Sequence, residues 1–197
     1  MLDDPPLKIS DYARGQVGPA IAYDGTDYLV AWMVDNVANF RGFDVYGRGI
    51  SKDGVNWTRL SSVPTIQSLN AIWGSGPHDI YVVGDFGTIL HYDGTEWTPE
   101  TSNSSEHLFG VWGSGASNVY AVGLHGTILH RDGSGWQAES SGTQEHLHSV
   151  WGGLDTQDSV YRMWAVGGRW AENGRVILLS KTIPVYPIFL PIVQRNW

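Results

Sequence analysis

An all-β chain made of a repeated antiparallel unit is what the sequence predicts, and three observations predict it. A block of residues recurs with Trp73, Trp112 and Trp151 spaced 39 residues apart. Each block reads as short apolar strands parted by Gly and Asp turns. No window holds the 3.6-residue apolar spacing of a helix. Composition agrees: Gly is 25 of 197 residues, aromatics are 12% with ten Trp, and charged residues are 16%. The usual charged share is ~25%. Such a profile excludes a disordered chain and a coiled coil.

The unit can be taken strand by strand. Leu69-Asn70-Ala71-Ile72-Trp73-Gly74-Ser75-Gly76 returns as Leu108-Phe109-Gly110-Val111-Trp112-Gly113-Ser114-Gly115, then as Leu147-His148-Ser149-Val150-Trp151-Gly152-Gly153. Asp79-Ile80-Tyr81-Val82-Val83-Gly84 matches Asn118-Val119-Tyr120-Ala121-Val122-Gly123. Gly87-Thr88-Ile89-Leu90-His91 matches Gly126-Thr127-Ile128-Leu129-His130, and Trp97 and Trp136 open the fourth strand after Asp93-Gly94 and Asp132-Gly133. These runs are rich in β-branched and aromatic residues. The Gly and Asp between them tolerate the positive φ of tight turns.

The N-terminal part follows the same plan in different residues. Pro19–Tyr23, Tyr28–Trp32, Asp44–Arg48 and Trp57–Leu60 read as four strands, with turns at Asp24-Gly25 and Asp53-Gly54. Asp53-Gly54-Val55-Asn56-Trp57 aligns with Asp93-Gly94-Thr95-Glu96-Trp97. The last unit carries insertions near Asp155–Ser159 and Arg169–Asn173 and lacks the Asp-Gly-x-x-Trp ending, as terminal repeats often do. Four antiparallel strands per ~40 residues is the size of one β-propeller blade. The expected architecture is therefore a β-propeller-like array of about four four-stranded blades, as a strained closed ring or a partial one. Its units are 17–66, 69–107, 108–146 and 147–182, within a domain 1–182, and a Pro-rich tail at 183–197 completes the chain.

Charge narrows the partners. Residues 1–66 carry six Lys/Arg against eight Asp/Glu, residues 67–146 one against nine, and residues 147–197 five against three. The middle of the chain thus has net charge −8 and Arg131 as its one basic residue. Nucleic acid needs a clustered basic footprint, so it is excluded as a partner. Zero Cys excludes disulfides, thiolate metal sites and a Cys nucleophile. Met1–Pro6 has neither a basic nor an apolar leader region, and Ile183–Val193 is too short and too Pro-rich to span a bilayer as a helix.

Residues 69–146 resemble a bacterial repeat of the form Val-Trp-Gly-Ser-Gly-x-x-Asp-Val-Tyr-Ala-Val-Gly-x-x-Gly-Thr-Ile-Leu-His-x-Asp-Gly-x-x-Trp, found in secreted or surface-exposed β-propellers. Pro19–Trp57 resembles a second bacterial propeller repeat, and Ser51–Trp57 is similar to the Asp-box of sialidase-like propellers, one residue short. Tyr186–Asn196 looks like a C-terminal motif of some exported bacterial proteins. The resemblance implies an extracellular or cell-surface β-propeller and says almost nothing of chemistry. It also implies an alternative, a sialidase-like glycoside hydrolase or lyase fragment. A sialidase-like site calls for converging Arg side chains, because only Arg offers a bidentate fork to a carboxylate. The two best-formed units hold only Arg131.

Candidate chemistry is sparse. There is no Gly-x-Ser-x-Gly elbow, no His-Glu-x-x-His, no calcium loop and no phosphate-binding loop. Asp53, Asp93 and Asp132 read as turn-stabilising. His91 and His130 share one repeat position, and Glu106-His107 and Glu145-His146 share another. Two imidazoles and two carboxylates on one rim would be a donor set for a divalent metal. Copying a repeat copies its histidines equally well, and neither metal nor cofactor is expected. Trp73, Trp112 and Trp151 read as packing residues. Trp97 and Trp136, just after turns, read first as core packing and otherwise as stacking on a sugar, in a speculative site with Glu106, His107, Glu145 and His146 as its polar part. Asn56-Trp57-Thr58 and Asn103-Ser104-Ser105 match the glycosylation sequon. The expected function is a non-catalytic binding or scaffold module for a neutral glycan or a protein, with self-association through open blade edges.

Overall fold

A computed structural model describes residues 16–23, 27–35, 43–51 and 57–59 by their strands alone, and residues 64–65, 67–76, 78–168 and 176–184 with their side chains. Among these the chain is all-β. Sheet I holds β1 (Gln16–Tyr23), β2 (Asp27–Asp35), β3 (Phe43–Ser51) and β4 (Trp57–Arg59). Sheet II holds β5 (Leu69–Gly76), β6 (Asp79–Gly84), β7 (Ile89–Tyr92) and β8 (Trp97–Glu100). Sheet III holds β9 (Leu108–Gly115), β10 (Asn118–Gly123), β11 (Ile128–Arg131) and β12 (Trp136–Glu139). Sheet IV holds β13 (Leu147–Asp155), β14 (Val160–Gly168) and β15 (Val176–Pro184). Every sheet is an antiparallel meander in chain order.

Sheet IV has three strands among the described residues, where four strands per unit were expected. The stretch where a fourth strand would fall, past Pro184, lies outside the described residues. β15 itself runs two residues past the unit boundary drawn at 182, and Ile183 is buried. The turns at Asp24-Gly25 and Asp53-Gly54, the insertion at Arg169–Asn173 and the tail beyond Pro184 lie outside the described residues.

The sheets share one register. Gly74, Ile80, Tyr92 and Trp97 form a row across sheet II. Gly113, Val119, Arg131 and Trp136 form it in sheet III, and Gly152, Met163 and Lys181 in sheet IV. Side chains alternate between faces along a strand, so this row and the next one lie on opposite faces. One face of sheet II (Tyr81, Val83, Ile89) packs on one face of sheet III (Val111, Val119, Leu129, Trp136). The other face of sheet III (Trp112, Tyr120, Val122, Ile128) packs on sheet IV (Val150, Met163, Ala165, Ile183). The first strands adjoin in series, β1 beside β5, β5 beside β9 and β9 beside β13.

The Trp-Gly dipeptide has a packing meaning that spans two sheets. A Cβ on Gly113 would lie 2.6 Å from the ring of Trp73, and one on Gly152 would lie 2.6 Å from the ring of Trp112. The outer edge of each Trp ring therefore rests against the glycine of the following unit, and any larger residue there would push it off.

A second seam repeats beside it. Tyr81 stacks on His91 at 4.4 Å and 12°, and Tyr120 stacks on His130 at 4.2 Å and 4°. The next sheet supplies a cation to each pair: Arg131 lies 5.4 Å from the Tyr81 ring centre and Lys181 lies 4.9 Å from that of Tyr120. Arg131 also binds Glu100 at 3.1 Å, and Lys181 binds Glu139 at 2.5 Å.

Candidate functional site

The charged side chains between the sheets are committed to one another, which moves the search for a site to the rims. Asp79 lies 2.8 Å from His91 Nε2 and accepts from Ser75. Burial pushes its carboxyl up, but the hydrogen bonds from His91 and Ser75 and the charges of His91 and Arg131 outweigh that and hold it low. Burial beside Asp79 pushes the Tyr81 phenol far up. Burial also pushes His130 down, more than Glu139 lifts it. His130 is bounded by Asn118 at 2.7 Å and Glu139 at 3.0 Å. These groups are locked rather than poised.

Trp97 and Trp136 take the packing role and not the sugar-stacking one. They are 5% and 1% exposed, so neither ring has a face left for a sugar. Trp136 Nε1 donates to Glu100 Oε2 at 2.6 Å, and the ring meets Tyr81 edge-on at 6.0 Å. Among the described residues Trp97 Nε1 has no acceptor. The repeat explains the difference. Glu100 stands three residues after Trp97, whereas the residue three after Trp57 in the sequence is Leu60, which has no carboxylate.

Of the polar residues singled out from the sequence, Glu106, His107 and His146 each meet a group from a neighbouring turn. The rim where β6 turns into β7 and β10 into β11 carries Asp85, Phe86, His107, Glu106, His125 and His146. His107 Nδ1 is 2.8 Å from Asp85 Oδ1, and His125 Nδ1 is 2.9 Å from Glu106 Oε2. The His125 amide donates to His146 Nδ1 at 3.2 Å, and Asn70 donates to Asp85 at 3.0 Å. Glu145 is half-buried, its amide bonded to Thr143 Oγ1 at 3.1 Å. Phe109 stacks on His148 at 5.7 Å further along the same strand starts. Beside His125 a polar hollow of about 310 Å³ is lined by Ser140, Ser141, Thr143 and Gln144. Among the described residues no three His, Asp or Glu side chains are placed to hold a metal ion.

Two residues of this rim were not singled out from the sequence. Phe86 has φ 54° and ψ 41°, and His125 has φ 54° and ψ 33°. Each precedes a glycine also at positive φ, 68° at Gly87 and 72° at Gly126. Positive φ at both central residues is the type I′ hairpin condition, for which Asn-Gly or Gly-Gly is the usual choice. For Phe86 that conformation is an outlier that costs of order 1–2 kcal/mol, whereas His adopts it more readily. Both side chains stay largely exposed, Phe86 63% with its ring 4.7 Å from that of His107, and the His125 side chain 55% with contacts to Glu106 and His146. The signal was present: Phe-Gly and His-Gly stand between two strands where Asn-Gly would be expected.

The acid response follows from the same groups. His130 and Asp79 are both depressed when folded, so each favours the native state above its ordinary value and loses that contribution as pH falls through the folded value. Melting temperature is expected to decline in two steps on acidification, below about pH 6.5 from His130 and below about pH 4 from the aspartates. Melting curves of wild type and His130→Asn across pH 3–8 check this. The first step should shrink in the variant, and an unchanged step would contradict it.

Compared with known proteins, the chain matches no family model and no curated protein. Among the described residues no helix is long and apolar enough to cross a membrane.

Proposed function

We propose that the chain is a β-propeller-type binding module of an exported bacterial protein, with no catalytic group, whose rim takes a neutral glycan or a basic segment of a protein partner. The observation that carries this reading is the pair of bulky side chains, Phe86 and His125, held outward on left-handed turns at one repeat position. Strain of this kind, unsupported by burial, marks sites retained for function. Serial packing of the four sheets, with β1, β5, β9 and β13 side by side, supports a propeller-like arc. Four units stand at the low end of the ~4–8 blades of closed propellers.

The ligand class follows from charge and shape. The net charge of −8 across residues 67–146 disfavours anions and favours uncharged or cationic groups. An exposed Phe face suits the apolar face of a sugar ring, and the polar hollow beside His125 suits its hydroxyls. A catalytic reading would need free Arg side chains. Arg131 is held by Glu100 and the Ala116 carbonyl, and Arg162 by Asp155 and Asp158.

Titration of the full chain against neutral and sialylated oligosaccharides and a basic peptide tests the proposal. Binding of a neutral sugar or the peptide, with no product released from sialosides, is the expected result. Preferential capture of sialylated sugars, or release of sialic acid, would overturn it.

A further inference from the structure

Phe86 and His125 stand 39 residues apart in the sequence, and so do His107 and His146. In each case the turn residue of one sheet meets the histidine that stands just before the first strand of the next. The Phe86 and His107 ring centres are 4.7 Å apart, and those of His125 and His146 are 5.2 Å apart. The same contact is therefore built twice, once on the turn of sheet II and once on the turn of sheet III. Glu106 joins the two pairs, since it precedes His107 in the chain and meets His125 Nδ1 at 2.9 Å. The row of rings continues from His146 to His148 at 6.3 Å, and from His148 to Phe109 at 5.7 Å.

Rings and hydroxyls are what this row offers a ligand. Its carboxylates Asp85 and Glu106 are engaged, Asp85 with His107 at 2.8 Å and Asn70 at 3.0 Å, and Glu106 with His125. A basic peptide segment would have to displace an imidazole from each of them. Phe86 is 63% exposed and the His125 side chain 55%, so ring surface is open at both pairs. Ser140, Ser141, Thr143 and Gln144 border the hollow beside His125. Apolar ring faces next to hydroxyl and amide groups suit a sugar, whose faces are apolar and whose edge is hydroxylated.

The repetition selects the length of that ligand. Packed sheets stand ~10 Å apart, farther than a single sugar ring spans. A ligand that uses both pairs is therefore a chain of sugars, and once one ring is seated the next binds at a high effective concentration. We propose, resting on the glycan reading above, that the rim takes a linear neutral oligosaccharide across the turns of sheets II and III. One sugar ring lies on Phe86 and His107, and a later ring of the same chain lies on His125 and His146.

Calorimetric titration of the full chain tests this, with neutral glucose, mannose and N-acetylglucosamine oligomers from the single sugar to the hexamer. In one of the three series, affinity should rise at least roughly tenfold from dimer to hexamer. Phe86→Asn, which suits the left-handed turn, and His146→Ala strike one pair each. Either variant should bind the hexamer only as tightly as wild type binds the dimer, with an unchanged circular dichroism spectrum, and having two variants guards against a folding defect in one. Hexamers bound no more tightly than dimers would overturn the two-pair site and leave the glycan reading standing. A rise in affinity that survives in both variants would overturn it too, because the sugar chain would then lie elsewhere. Binding of a basic peptide with no binding of any oligomer would overturn both the site and the glycan reading.

Discussion

Trp136→Ala is expected to lower folding stability by about 3–5 kcal/mol, the range for truncating a fully buried Trp. The side chain is 1% exposed and stands where sheets II and III meet, against Tyr81 and among Val111, Val119 and Leu129. Its loss opens a cavity in that layer and also removes the donor to Glu100, which then keeps Arg131 as its nearest partner. Typical domains have only ~5–15 kcal/mol of stability to lose, so the variant should be largely unfolded well below the wild-type midpoint. Urea titration with matched m-values measures the difference. A loss under about 1 kcal/mol would mean that the Trp is not in the core.

Gly126→Val is the second large effect. The residue sits at φ 72°, and a Cβ there would lie 2.1 Å from the Thr143 carbonyl oxygen, a backbone atom that cannot swing away. Gly133 has φ 95° but open space, with its nearest neighbour 3.6 Å from a Cβ. Gly133→Val should therefore show backbone strain alone, about 1–3 kcal/mol. Gly126→Val adds the collision and should exceed it clearly. Equal losses would show that the turn does not press on the Ser141–Thr143 segment.

Much of this fold was legible because it is local. Strands β5, β6, β9 and β10 could be read from the Trp-Gly and Tyr-x-Val-Gly phrases, since apolar runs between turn residues leave few alternatives. The carboxylates of Asp93 and Asp132 were correctly read as turn holders. Asp93 accepts from the Thr95 and Glu96 amides, which with the Thr95 hydroxyl draws its carboxyl down to about 2.

Contacts between sheets were not legible, because they join residues whose faces are known only once the register is set. Trp97 and Trp136 come just after turns, which left inward packing and sugar stacking both open, and the row they share with Gly74 and Gly113 decides for packing. Parity along β8 held the answer: Trp97 is buried and Thr98 is exposed. The phased His91 and His130 were noticed, but their partners Tyr81 and Tyr120 lie on another strand. The rim pairing of Glu106 with His125, across 19 residues, left no trace in spacing.

If the rim carries function at a cost in stability, replacing Phe86 and His125 together by Asn separates the two. Asn suits the left-handed conformation, so the double variant should fold as well as wild type and be more stable, by several tenths to about 1 kcal/mol, mostly from the Phe86 site. Calorimetric titration of both proteins with the neutral oligosaccharide or basic peptide is the measurement. A more stable protein that binds at least roughly tenfold more weakly is the expected result. A more stable protein that binds as tightly as wild type would contradict it.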